Sequence, residues 1–172
     1  FFEPSHTIGG YEELHWNQEM NNNGDKTKNQ LDFHRFIIFY GYNYTEKWSF
    51  KSELEIEHNM IDGDGDYDGE VELEQAYINY HAENWGFKAG VILASAGYIN
   101  ETHEPPTFLS VERPDYAKHV IPTTWFGNGF GFYGNFSGID WKLNIMEDLK
   151  SSGIGNGIRD ARGKGYKTTA YD

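Results

Sequence analysis

Six glutamates recur at every second position in two segments of the chain. They are Glu53, Glu55, Glu57, Glu70, Glu72 and Glu74. Alternate residues of an extended strand point to the same side, so each triplet would line one side of a strand with carboxylates. Carboxylates arranged in this way attract cations, and they can bind divalent ions or create a field along a path for ions.

A second acidic run offers a different chemistry. It consists of Asp62, Asp64, Asp66 and Asp68, with glycines between several of them. Carboxylates at this spacing can converge on a calcium ion, but the run lacks the glutamate that position 12 of an EF-hand loop requires. A calcium site and an unliganded, solvated turn are both consistent with this segment.

No combination of residues indicates catalysis. The seven histidines are scattered, without the spacing of a zinc motif or a catalytic triad. The glycine-rich residues 127–129 and 153–157 lack the strand-to-helix context that a phosphate-binding loop needs. We therefore predict no enzyme activity and no cofactor, apart from calcium at the aspartate run.

The glutamates of the first triplet lie in the clearest predicted strand, residues 48–58, where apolar and charged residues alternate. Residues 32–44 precede it, and the connection between the two segments is only three residues long. This predicts an antiparallel hairpin with Phe36 opposite Ile56, a register on which turn length and hydrophobic pattern agree. One apolar face then continues across both strands.

The same pairing across residues 59–69 sets the two glutamate triplets against each other. The predicted pairs are Glu57 with Glu70, Glu55 with Glu72, and Glu53 with Glu74. Like charges directly opposed destabilise a sheet. Water, bound divalent cations or basic residues can offset this repulsion, and the basic candidates are Arg35 and Lys51 on the same face and Arg113 or Lys118 elsewhere.

Further strands are predicted near residues 8–16, 70–80, 86–93, 130–136 and 141–145, with an eighth beginning at 166. The connections between them alternate in length. The long ones are residues 17–31, 59–69, 94–127 and 148–165, and the short ones are residues 45–47, 82–85 and 137–140. Long extracellular loops that alternate with tight periplasmic turns are typical of outer-membrane β-barrels. In a soluble β-sandwich, long loops are not expected to be confined to one end of the strands.

Composition excludes several other classes of protein. The longest apolar run, residues 36–40, is far shorter than the roughly 20 residues of a transmembrane helix. The absence of cysteine rules out disulfides and thiolate metal sites. A net charge of −13 argues against nucleic acid as a partner, whereas an aromatic content of 17% suits the aromatic girdles of a barrel.

The connection over residues 94–127 indicates the size of the barrel. It is rich in proline and charge, and an eight-stranded barrel has no room to receive it. We therefore expect an all-β fold in which residues 1–172 form the N-terminal part of one antiparallel transmembrane β-barrel, contributing about seven or eight strands. The long loop is expected to fold into the lumen, with constriction residues Glu101, His103, Glu104, Glu112 and Arg113.

Residues 100–108 (NETHEPPTF), 111–114 (VERP) and 121–125 (IPTTW) resemble the phosphate-selective porin (O and P) superfamily of bacterial outer-membrane proteins. Supporting similarity lies in residues 8–11, 32–36, 52–58 and 70–77. The resemblance implies a sixteen-stranded, often trimeric barrel with an inward-folded third loop. Phosphate-selective members line their pores with Arg and Lys, whereas this chain presents Glu, so phosphate selectivity is not carried over.

The leading functional hypothesis is a porin in the outer membrane of a Gram-negative bacterium that allows passive diffusion of small hydrophilic solutes or ions. Its expected partners are lipid and lipopolysaccharide, together with further copies in a homotrimer or subunits of a larger outer-membrane complex. One alternative is a non-conducting structural barrel within such a complex. Another is a soluble, calcium-dependent β-sandwich binding domain.

Overall fold

The computed structural model describes residues 1–59, 69–109, 114, 116 and 124–147. They form seven strands: β1 (Ser5–Met20), β2 (Lys26–Asn43), β3 (Trp48–Glu57), β4 (Glu70–His81), β5 (Trp85–Leu93), β6 (Phe126–Phe136) and β7 (Ile139–Met146). Each strand pairs antiparallel with the next, giving one open sheet in the order of the chain. The all-β prediction is confirmed. No helix among the described residues is long and apolar enough to cross a membrane.

The predicted hairpin of β2 and β3 has the expected register. Phe36 lies opposite Ile56, and Arg35 lies opposite Glu57. Thr45 closes the turn, because its Oγ1 atom accepts hydrogen bonds from the backbone N–H groups of Lys47 at 3.2 Å and Trp48 at 3.0 Å. Local turn chemistry and the apolar pattern therefore fix the same pairing.

The predicted loop over residues 17–31 is wrong. β1 and β2 continue through most of it and are joined only by residues 21–25. Asn21 organises the turn, since its Oδ1 atom accepts hydrogen bonds from the backbone N–H groups of Asn23 and Asp25, both at 2.9 Å. Polar strands pair through their backbones without an apolar pattern, so hydrophobic alternation did not predict this extension.

One side of the sheet, which we call the apolar face, carries hydrophobic side chains across every strand. They include Phe36, Ile38, Leu54, Ile56, Leu73, Ile78, Ala89, Phe130, Phe132, Leu143 and Ile145, joined by cross-strand pairs. Many of these large side chains are exposed. Glu12 lies on this face opposite Phe36. Exposed apolar residues on this scale are unusual for a surface in contact with water alone.

The opposite side, which we call the acidic face, bears Glu53, Glu55, Glu57, Glu72 and Glu74. The buried residues Ile37 and Ile92 are also on this side by strand alternation. The first part of the long connection folds back over it and contains two short 3₁₀ helices, Asn100–Thr102 and Pro105–Thr107. The buried core therefore lies on the acidic face and mixes apolar with charged groups.

Candidate functional site

A β-bulge in β4 shapes the acidic face. The predicted pairs of Glu57 with Glu70 and of Glu55 with Glu72 are confirmed, but the pairing of Glu53 with Glu74 is wrong. The register shifts beside Leu54, so that Glu53 lies opposite Gln75. β4 contains one additional residue at this point, which changes the partner of every residue beyond it. The bulge removes one of the three opposed glutamate pairs.

Arg35 neutralises part of the acidic face. Its Nε atom lies 2.9 Å from Oε2 of Glu13, and its Nη1 atom lies 3.0 Å from Oε1 of Glu55. The Arg35 side chain is only 5% exposed, and the Glu55 side chain only 2%. Neither contact has the geometry of a hydrogen bond, so the attraction comes from the opposite charges of the guanidinium and the two carboxylates. Lys51, the other predicted basic residue, is exposed and lies opposite Gly41 and Tyr77.

Asn100 anchors the long connection at both of its ends. Its Nδ2 atom donates hydrogen bonds to the carbonyl oxygens of Ala94 at 2.6 Å and Trp125 at 2.9 Å. Its Oδ1 atom accepts one from the backbone N–H of Trp125 at 2.8 Å. The side chain is fully buried, so these three bonds satisfy its polar atoms and hold the adjacent 3₁₀ helix in place.

His103 follows that helix and reaches the bulge. Its Nδ1 atom lies 2.8 Å from the carbonyl oxygen of Asn100, and its Nε2 atom lies 2.9 Å from Oε2 of Glu74. Oε1 of Glu104 is 3.7 Å from the same Nε2 atom. Burial disfavours the imidazolium, but the hydrogen bond and charge of Glu74 outweigh burial, so the pKa of His103 lies above its ordinary value.

Two more carboxylates complete this cluster. Glu104 accepts a hydrogen bond from the hydroxyl of Tyr11, and Glu53 accepts one from the amide of Gln75. One ligand atom each from Glu53, Glu74, His103 and Glu104 lies within 4.8 Å of all the others. We call these four residues the Glu–His cluster. Its members come from β3, β4 and the long connection, and three of the four are buried.

Among the described residues, two other groups of side chains are close enough to share a metal ion. Glu55, Glu72 and Glu74 lie together on the acidic face, and Asp32 and His34 of β2 lie beside His58, the residue that follows β3. The Nδ1 atoms of His34 and His58 lie 3.2 Å and 2.8 Å from different oxygens of Asp32. His15 stacks on His34 with ring centroids 4.6 Å apart.

The remaining predicted site residues fall into two groups. Glu101 lies on the surface, where its Oε2 atom is 2.6 Å from Nζ of Lys142. Asp62, Asp64, Asp66, Asp68, Glu112 and Arg113 lie outside the described residues. The calcium prediction and the constriction roles of Glu112 and Arg113 therefore stay predictions.

Sequence reasoning missed Tyr11, Glu13, Gln75 and Asn100. Glu13 could have been predicted, because pairing β1 with β2 as an antiparallel hairpin places it opposite Arg35. Gln75 became part of the site only through the bulge. Asn100 acts through contacts with Ala94 and Trp125 that no local pattern encodes.

No protein-family model matches the chain, and no solved structure does so either. Among curated proteins, an uncharacterized protein of Aquifex aeolicus (strain VF5) is 40% identical over 146 residues. The alignment covers 84% of this chain and 33% of the relative, so the chain spans about a third of that protein's length. The likeness connects the chain with a longer protein and assigns no activity to either.

Proposed function

We propose that this chain is part of an outer-membrane β-barrel of the porin type, through which small hydrophilic solutes or ions diffuse. The observation that carries the proposal is the division of the sheet into two chemically different faces. Exposed hydrophobic side chains cover the apolar face, while charged residues line the opposite one. A membrane barrel needs this arrangement, since one side contacts lipid and the other encloses water.

The position of the long connection supports the same proposal. His103 and Glu104 contact Glu74 and Tyr11 on the acidic face, so the connection folds over the charged side of the sheet. In a closed barrel whose apolar face contacts lipid, that charged side is the lumen. The connection then narrows the passage, as an inward-folded loop of a porin does.

The charge of the acidic face favours cations over anions as the permeating species. Arg35 offsets only part of the negative charge, because it is already paired with both Glu13 and Glu55. Glu57 and Glu70 remain directly opposed, and neither is fully buried. Their carboxylates can act on passing ions through water, which makes this pair the best place to test selectivity.

The Aquifex relative is compatible with a barrel wider than seven strands. The 146 aligned residues are 33% of that protein, which is therefore about 440 residues long. A protein of this length can supply the sixteen strands implied by the resemblance to the phosphate-selective porin superfamily. Lipid, lipopolysaccharide and neighbouring copies in a trimer are the partners that such a barrel would contact.

Reconstitution of the full-length protein in planar bilayers tests the proposal. We expect stable conductance steps and a preference for cations, read from the reversal potential in a salt gradient. The double variant Glu57→Gln/Glu70→Gln should lower that preference, whereas Glu46→Gln in the turn between β2 and β3 should leave it unchanged. A protein that stays soluble without detergent would refute the barrel and favour the calcium-dependent sandwich.

The described loop contacts also favour a second candidate, a barrel that serves as a structural subunit without conducting. Asn100 and His103 are almost fully buried, so this part of the connection packs tightly on the acidic face. A barrel sealed by its loop would insert into bilayers and show no open level. The same bilayer recordings therefore separate the two functions.

A further inference from the structure

We propose that Glu53, Glu74, His103 and Glu104 bind a divalent transition-metal ion of the manganese, iron or zinc type. The site is distinct from the aspartate run over residues 62–68. It does not depend on whether the barrel conducts ions, because it is built from the contact between the long connection and the sheet. The four ligand atoms already converge within 4.8 Å of one another.

Two buried oxygen atoms point to a ligand. Oε1 of Glu53 and Oε1 of Glu74 accept no hydrogen bond from the residues that the structure describes. Glu53 is 1% exposed and Glu74 is 0% exposed, so bulk water does not reach these side chains. A buried carboxylate oxygen without a donor is costly, and a metal ion bound by these carboxylates would supply the missing partner.

The orientation of His103 matches that of a metal ligand. The carbonyl oxygen of Asn100 can only accept a hydrogen bond, so Nδ1 of His103 must carry a hydrogen. Nε2 then faces the carboxylates of Glu74 and Glu104, at 2.9 Å and 3.7 Å. Histidines that bind metals commonly donate their second ring N–H to a backbone carbonyl in this manner.

The surrounding residues also hold the carboxylates in place. Tyr11 donates a hydrogen bond to Oε2 of Glu104, and Gln75 donates one to Oε2 of Glu53. Each bond occupies one oxygen and leaves the other available to an ion. Hydrogen bonds of this kind fix the geometry of ligating carboxylates and contribute to metal affinity.

The donor set identifies the class of ion. Calcium and magnesium prefer oxygen ligands alone, whereas an imidazole with carboxylates suits manganese, iron or zinc. As a ligand through Nε2, the imidazole of His103 is neutral and offsets none of the carboxylate charge. The nearby Arg35 is already paired with Glu13 and Glu55. A divalent cation offsets this negative charge.

The other two groups of metal-capable residues are weaker candidates. Both oxygens of Asp32 already lie within hydrogen-bond distance of imidazole nitrogens, from His34 and His58. The group of Glu55, Glu72 and Glu74 contains no imidazole, and Arg35 pairs with Glu55. Unsatisfied buried oxygens and an oriented histidine occur together in the Glu–His cluster.

The test uses the full-length protein in detergent, stripped of metal with a chelator and titrated with Mn²⁺ or Zn²⁺ by calorimetry. We expect one high-affinity ion per chain, and we expect His103→Gln and Glu74→Gln each to weaken binding at least about tenfold. His81→Gln and Glu83→Gln alter exposed residues outside the cluster and should leave the affinity unchanged. Equal affinity in His103→Gln and the wild type would overturn the site.

A second measurement needs no variant and so avoids any folding defect. Pulsed electron paramagnetic resonance of the Mn²⁺-loaded wild type should show coupling to an imidazole nitrogen. Absence of binding, or a signal without nitrogen coupling, would contradict the proposal. Bilayer recordings on the same metal-free sample keep the two proposals separate, since conductance without metal binding would overturn only the metal site.

Discussion

The Nη1 atom of Arg35 lies 3.0 Å from Oε1 of Glu55, and both side chains are almost completely buried. Glu13 contacts the same guanidinium at 2.9 Å, so one cation holds β1, β2 and β3 together through charge. Removing one partner of a buried ion pair leaves the other charge uncompensated, which costs more than the pair contributes.

Arg35→Met should therefore destabilise the protein strongly. We expect the free energy of unfolding to fall by about 3–5 kcal/mol, because Glu13 and Glu55 lose their shared cation. Urea titration in lipid vesicles, followed by tryptophan fluorescence, measures this change. Lys142→Met is the matched control, since its pair with Glu101 is exposed and should contribute at most about 1 kcal/mol. Equal losses for both variants would contradict the importance of burial.

Asn100→Ala should release the long connection from the sheet. The substitution removes three hydrogen bonds to Ala94 and Trp125 and leaves the backbone N–H of Trp125 without its partner, at a cost of about 1–3 kcal/mol. Faster cleavage within residues 94–125 by a protease added to intact, folded protein is the expected readout. Thr102→Ala removes only one exposed hydrogen bond, to Tyr98, and should be cleaved at the wild-type rate.

Gly90→Ala should disturb the pairing of β4 with β5. Gly90 has a φ of +136°, which side chains rarely tolerate, and an added Cβ would collide with the carbonyl oxygen of Ala76. We expect a loss of roughly 1–3 kcal/mol in the free energy of unfolding. Gly9→Ala is the control, because nothing lies within 4 Å of its added Cβ. Similar unfolding midpoints for the two variants would argue against this strain.

Phe50→Arg should impair membrane insertion if the apolar face contacts lipid. Phe50 pairs with Tyr42 and Ile78 on that face, and a charge there should cost roughly 1–3 kcal/mol, between the values for the interface and the midplane. The folded fraction after refolding into vesicles measures the effect. Ser49→Arg places the same charge at nearly the same depth on the opposite side of the sheet. Identical folding yields for the two variants would mean that the faces do not differ in environment.

The pairing of β2 with β3 was predictable because two independent signals agreed. Phe36 and Ile56 share an apolar face, and a turn of few residues leaves little freedom in register. The pairing of Glu53 was missed because alternation was extended through Glu74, although the consecutive polar residues Glu74 and Gln75 interrupt it at the inserted residue. The extension of β1 and β2 through residues 17–31 was missed because a polar segment has no hydrophobic alternation that would distinguish the two faces of a strand.

The Glu–His cluster combines a predictable part with an unpredictable one. Alternation alone identified Glu53 and Glu74 as residues of one face, and the length of the connection identified His103 and Glu104 as candidates to approach it. Their convergence depends on the joined ends of the connection, where Asn100 bonds to Ala94 and Trp125 and the backbone N–H of Ala94 also donates to Trp125. Such long-range contacts leave no periodic trace in the sequence.

The bulge in β4 has an evolutionary consequence. Deleting one codon at Glu74 would restore an uninterrupted ladder and place the remaining residues of β4 opposite β3 without a shift. The strands would keep their number, order and apolar face, yet Glu74, the partner of His103, would be gone. A single-residue insertion or deletion can therefore create or abolish this constellation within an unchanged sheet, so related chains that share the fold can differ in whether they possess it.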